Sequence, residues 1–108
     1  MKEVKAFMKP IKLEKVVSAL RESGFDSVTI SESEGTGNYK RQDSKPSLKY
    51  HFTDSKIIKV ELVCNDEEVD EVIDLICKNA QTPYPADGII YVSDVVLAYR
   101  IKNGKSLK

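Results

Sequence analysis

The chain switches repeatedly between two hydrophobic periods, and this switching constrains its fold more than any other feature. Val4, Ala6 and Met8 alternate with Lys5, Phe7 and Lys9, a period of two that predicts a strand with one packed face. Pro10 closes this run and suits the opening of a helix. Leu13, Val16, Val17 and Leu20 then recur at helical spacing, with Lys12, Glu14, Lys15 and Arg21 outside them. Gly24 offers a left-handed stop. Period two returns over residues 27–34, where Val28 and Ile30 oppose Thr29 and Ser31. It returns again over 57–63, where Ile58, Val60 and Leu62 alternate with Lys59 and Glu61. Asn65 and Glu68 have the spacing of a capping box ahead of a stripe of Val69, Val72, Ile73, Ile76 and Ala80, which marks a second helix. Residues 89–101 predict a long β-rich run, with Ser93-Asp94 as a bulge or a join between two strands.

The order strand, helix, strand, strand, helix, strand predicts an α+β fold of the ferredoxin-like βαββαβ kind. Its antiparallel sheet carries both helices on one face. The 108 residues suffice for one such domain, 1–108, which would bury roughly two-thirds of its unfolded surface. No apolar run approaches the ~20 residues of a spanning helix, so the chain is not expected to be membrane-inserted. The charged start Met1-Lys2-Glu3-Val4-Lys5 does not read as a secretory signal. A cytoplasmic protein is expected.

Lys plus Arg and Asp plus Glu each total 17, for a formal net charge of zero. That balance argues against a dedicated nucleic-acid binder and sets little electrostatic barrier to self-association. Cys64 and Cys77 form no Cys-x-x-Cys pair and read as free thiols in a reducing compartment. With His51 as the single histidine, neither a Cys/His zinc site nor a Ser-His-Asp triad has material. No catalytic residue or metal is therefore expected, and the chain does not read as an enzyme.

The zero balance conceals segregation. Lys40, Arg41, Lys45 and Lys49 stand in a long polar segment, and Arg100, Lys102, Lys105 and Lys108 follow Val95 without an acidic counterpart. Glu67, Asp70, Glu71 and Asp74 make the outer face of the second helix acidic. A long aperiodic segment inside a small domain reads as a functional, partner-binding loop. Its excess positive charge suits an acidic partner or a transporter mouth.

Read in order, Met8-Lys9-Pro10-Ile11-Lys12-Leu13-Glu14-Lys15-Val16, Gly24, Val28-Thr29-Ile30, Gly35-Thr36-Gly37 and Lys59-Val60-Glu61 resemble the PII signalling proteins. So do Gln81-Thr82, Asp87-Gly88, Val92-x-Asp94-Val95 and Arg100-Ile101-Lys102-Asn103-Gly104. The resemblance runs nearly end to end, apart from the middle of the long loop. It implies a homotrimer whose inter-subunit clefts bind an adenine nucleotide: AMP, ADP, ATP or a cyclic nucleotide. It also implies a T-loop, about 38–55, that docks onto a membrane transporter or a cytosolic enzyme, in nitrogen metabolism for many members. On this resemblance Thr29, Gly35, Thr36, Gly37, Asn38, Glu61 and Val63 correspond to the adenosine wall. The B-loop, about 82–88, contributes Ala86, Asp87 and Gly88 at the phosphates, with Arg100 and Lys102 as cationic contacts. Lys40, Arg41, Lys45, Lys49 and Tyr50 fall in the T-loop, Tyr50 where some members are uridylylated. Arg100 and Lys102 sit two apart on a predicted strand, so both can point to one face.

The departures matter as much. The usual Thr-Gly-Lys-x-Gly-Asp-Gly-Lys loop is here Thr82-Pro83-Tyr84-Pro85-Ala86-Asp87-Gly88-Ile89. Pro83 and Pro85 have no amide hydrogen to offer a phosphate, and Tyr84 and Ile89 stand where the family has lysines. Asn38 and Tyr39 replace an arginine and a glutamine, and Ile57 replaces the lysine that meets 2-oxoglutarate in the family. These changes predict a divergent PII-like regulator that keeps the scaffold and changes its ligand. A CutA-like trimeric metal-tolerance protein shares the architecture and is the alternative, but His51 and two scattered cysteines are poor ligands for it. An RNA-recognition domain would need aromatic residues on its central strands, and residues 57–63 have none.

Overall fold

The computed structural model describes residues 1–35, 55–83 and 87–107. Its elements follow the expected order: β1 (Lys2–Met8), α1 (Leu13–Glu22), β2 (Thr29–Gly35), β3 (Ser55–Cys64), α2 (Val69–Ala80) and β4 (Gly88–Asp94). Short 3-10 turns at Pro10–Lys12 and Asp66–Glu68 lead into the two helices. The four strands form one antiparallel sheet in the order β2-β3-β1-β4, so the fold is ferredoxin-like βαββαβ.

Register explains the burial. Val4, Ala6 and Met8 of β1 stand opposite Leu62, Val60 and Ile58 of β3, and opposite residues in an antiparallel pair share a face. That face meets Val16 and Leu20 of α1 and Val72 and Ile76 of α2 in one apolar core. α2 packs on β1, and α1 packs on α2. The α2 start is built as its sequence predicts: the Asn65 backbone N–H donates to Glu68 Oε1 at 2.8 Å, satisfying a donor just outside the first turn. Glu67, Asp70, Glu71 and Asp74 are exposed, and Asp74 pairs with Lys78 at 2.9 Å, one turn along.

Two points of the fold depart from simple periodicity. Ile30 shares the helix-side face with Val60 yet is 44% exposed, because β2 is an edge strand and the buried cluster gathers under β1 and β3. The long β run over 89–101 ends at Asp94. Asp94 stands opposite Lys2, the first residue of β1, and one more backbone bond, from the Val95 N–H to the Met1 carbonyl at 3.1 Å, ends the pairing. The tail instead folds on itself, with a bridge between Tyr99 and Ser106.

No helix among the described residues is long and apolar enough to cross a membrane. Both cysteines are free, Cys64 buried and Cys77 half-buried. Burial pushes the Cys64 thiol up, away from the reactive thiolate.

Candidate functional site

The helix-free face of the sheet carries one group of the expected residues. Thr29 opens β2 directly opposite Glu61 of β3, and Val63 stands two residues further along the same face, opposite Glu3 of β1. Thr29 is exposed and Val63 is 51% exposed. Glu61 is half-buried and takes the Lys59 ammonium at 3.3 Å, so its charge is balanced within the strand. The face therefore offers a hydroxyl, an ion-paired carboxylate and an open apolar side chain side by side.

Two of the expected glycines lie apart from this group and from each other, on the two edge strands of the sheet. Gly35 closes β2 opposite Ser55, and Gly88 opens β4 opposite Met8. Along β2, Thr29 and Gly35 are separated by about 20 Å at roughly 3.3 Å per residue. Near Gly88 the chain is tied by one carboxylate. Asp87 Oδ2 accepts the Thr82 backbone N–H at 2.8 Å, and Oδ1 accepts the Thr82 hydroxyl. The Lys9 ammonium lies 3.3 Å from Asp87 Oδ1 and 3.4 Å from Thr82 Oγ1. Burial alone would raise the Asp87 pKa. The Thr82 hydroxyl and amide and the Lys9 charge outweigh it and hold the group below the usual carboxylate range.

A pH dependence follows with a definite sign. A carboxylate whose pKa is depressed by folding adds stability above its unfolded pKa, and that stability is lost as pH falls through the folded value. We expect wild-type melting temperature to drop more steeply than that of Asp87→Asn as pH falls below ~4. Parallel acid limbs in thermal melts would contradict this.

Arg100 and Lys102 are not on a strand, which corrects the expectation that they share one strand face. Arg100 donates its backbone N–H to the Lys105 carbonyl at 2.9 Å and accepts the Gly104 N–H at 2.8 Å. Lys102 lies in the turn between them, and both side chains are exposed. The tail leaves the sheet at the Lys2–Asp94 end, where those two residues form a salt bridge. That pair holds the Asp94 carboxylate below its ordinary range, chiefly through the bond from Lys2.

Thr36, Gly37, Asn38, Lys40, Arg41, Lys45, Lys49, Tyr50 and Ala86 lie outside the described residues. Among those described, no three His, Cys, Asp or Glu side chains converge as a metal site. Ile57 is 6% exposed on the helix-free face, opposite Ser33. An apolar side chain is thus packed away at the position where the resemblance led us to look for a ligand-contacting lysine. Lys9 is the residue that sequence reasoning missed. Its only signal there was a lysine continuing the outward set of the first strand, which usually means a solvated charge.

Known proteins resemble this chain along nearly its whole length. The family model described as Nitrogen regulatory protein P-II matches residues 1–105. The chain is 38% identical over 109 residues to Nitrogen regulatory protein P-II 2 of Methanothermobacter thermautotrophicus, covering 100% of this chain and 95% of that one. It is 36% identical over 107 residues to Nitrogen regulatory protein P-II of Bradyrhizobium diazoefficiens, covering 98% and 96%. To Nitrogen regulatory protein P-II 1 of Escherichia coli K12 it is 36% identical over 106 residues, covering 97% and 95%. With the βαββαβ sheet and this coverage of the whole sequence, the chain belongs to the nitrogen regulatory protein P-II family.

Proposed function

We propose that the protein is a non-enzymatic signal-transduction regulator in nitrogen metabolism. It senses an adenine nucleotide in clefts between subunits of a homotrimer and acts on a transporter or a cytosolic enzyme through its T-loop. One observation carries the cleft: the expected residues are scattered over one sheet, with Thr29 and Gly35 at the two ends of β2 and Gly88 on β4, the opposite edge strand. Thr29 and Gly35 stand ~20 Å apart along β2, more than the length of AMP. A second copy, presenting its Thr29–Glu61–Val63 face to the Gly88 end of the first, brings the two onto one ligand. Because the tail leaves the sheet at the Thr29 end, Arg100 and Lys102 travel with that contribution and supply positive charge to the phosphates.

The same site argues for altered ligand logic. Between Gln81 and Ile90 the sequence has no lysine or arginine and two prolines, so this loop offers phosphate fewer amides and no charge of its own. Ile57 is buried and apolar, which disfavours a dicarboxylate beside it. AMP, ADP or a cyclic nucleotide therefore fits better than the pairing of Mg-ATP with 2-oxoglutarate. Solution mass and calorimetric titration with AMP, ADP, ATP and cyclic AMP, each with and without 2-oxoglutarate, test the reading. We expect a trimer that binds at least one of these nucleotides with no enhancement by 2-oxoglutarate. A monomer would remove the shared cleft, and tight ATP binding strengthened by 2-oxoglutarate would overturn the altered ligand logic. The docking role has its own test. Deleting residues 38–54 should abolish partner binding while leaving the trimer and nucleotide affinity intact; unchanged partner binding would sink it.

A further inference from the structure

The contacts of Lys9 are unusual for a lysine beyond the end of a strand. Its side chain is only 11% exposed, and an ammonium has three donors to satisfy. Two directions are taken by Asp87 and Thr82. Asp87 in turn binds both the amide and the hydroxyl of Thr82. One carboxylate thus closes the entry and exit of the 82–88 segment on each other, and Lys9 staples that closure to the end of β1. Gly88, next in the chain, is fixed against Phe7 and Met8 by the sheet itself. The ends of the segment are held by charge-assisted bonds, which are about twice as strong as neutral ones.

This arrangement decides between two roles for the cation. A lysine that meets phosphate directly should be open to the ligand and lightly paired. Lys9 is withdrawn and neutralised by Asp87. We propose that Lys9 is a positioning residue of the nucleotide site: acting through Asp87, it fixes Thr82 and Asp87 against each other beside Gly88 and hence sets affinity for the phosphate-bearing part of the ligand, leaving affinity for adenosine unchanged. Asp87 then serves the segment through its carboxylate, with no side-chain contact to the ligand. The inference rests on the nucleotide reading above for its ligand, but the clasp is separately measurable.

The test titrates adenosine, AMP and ATP into wild type, Lys9→Met, Lys9→Arg and Asp87→Ala, and follows hydrogen exchange of the Thr82 amide. Loss of one charge-assisted bond in a partly exposed cluster should weaken AMP and ATP about tenfold. We expect that loss in both Lys9→Met and Asp87→Ala, with adenosine affinity unchanged and with Lys9→Arg close to wild type. Thr82 amide exchange should quicken in Lys9→Met and Asp87→Ala by more than any accompanying fall in global melting temperature explains. Equal weakening of adenosine and ATP would overturn the proposal, since it reports general damage. So would tighter AMP or ATP binding by Asp87→Ala, the mark of a freed Lys9 touching phosphate itself. If wild type binds none of the three, the nucleotide reading fails, and the clasp stands or falls on Thr82 exchange: unchanged rates in Lys9→Met refute it.

Discussion

Gly88→Ala is expected to lose at least about 3 kcal/mol of folding stability, a size reserved for substitutions with a specific steric cause. Gly88 has φ +125°, and a Cβ built there falls 1.8 Å from the Phe7 carbonyl oxygen and 3.2 Å from the Met8 Cα. Both neighbours are backbone of β1, the central strand that pairs with β3 on its other side. The clash cannot be relieved by turning a side chain, so either β4 peels away at its start or β1 shifts within the sheet. Gly24 is the control. Its φ is +92°, but nothing lies within 4 Å of its built Cβ, so Gly24→Ala should lose only about 1–2 kcal/mol for the left-handed backbone. Urea unfolding of both variants checks the contrast; equal midpoints would show that the β1–β4 approach is not tight.

Leu20→Ala should lose about 2–5 kcal/mol through the lost transfer energy and the cavity left behind. Leu20 is fully buried where α1 meets the rest of the core, and its carbonyl also accepts the Phe25 N–H at 2.8 Å as the helix ends. Leu20→Met keeps most of the volume and should lose less than about 1.5 kcal/mol. Chemical denaturation separates the two, and a Leu20→Ala loss no larger than that of Leu20→Met would mean the core collapses around the gap.

Much of this was legible in the residues. The alternation of Val4, Ala6 and Met8 named the buried face of the central strand, and Ile58, Val60 and Leu62 named that of its neighbour, because a period of two is a local property of a strand. Asn65 and Glu68 named the start of α2 for a similar reason: a capping box closes within four residues. The apparent strand beyond Asp94 misled because β propensity marks a chain that fits a sheet and says nothing of whether a partner rung exists. Arg100 and Lys102 inherited that error. The clasp of Lys9, Thr82 and Asp87 was illegible because its members meet only once β1 and β4 pair in register.

Two balances of charge frame the same division. By itself the sequence determined the order of elements, the buried face of each central strand, the helix caps and the segregation of 17 basic from 17 acidic residues. These are short-range consequences of periodicity and composition. Only the tertiary structure decided where β4 runs out, that Ile57 is packed away, that Lys9 is neutralised by Asp87, and that Gly88 stands on the opposite edge strand from Thr29 and Gly35. Each of those depends on which strands are neighbours and in what register, and register is a long-range choice set by burying one face of the whole sheet at once.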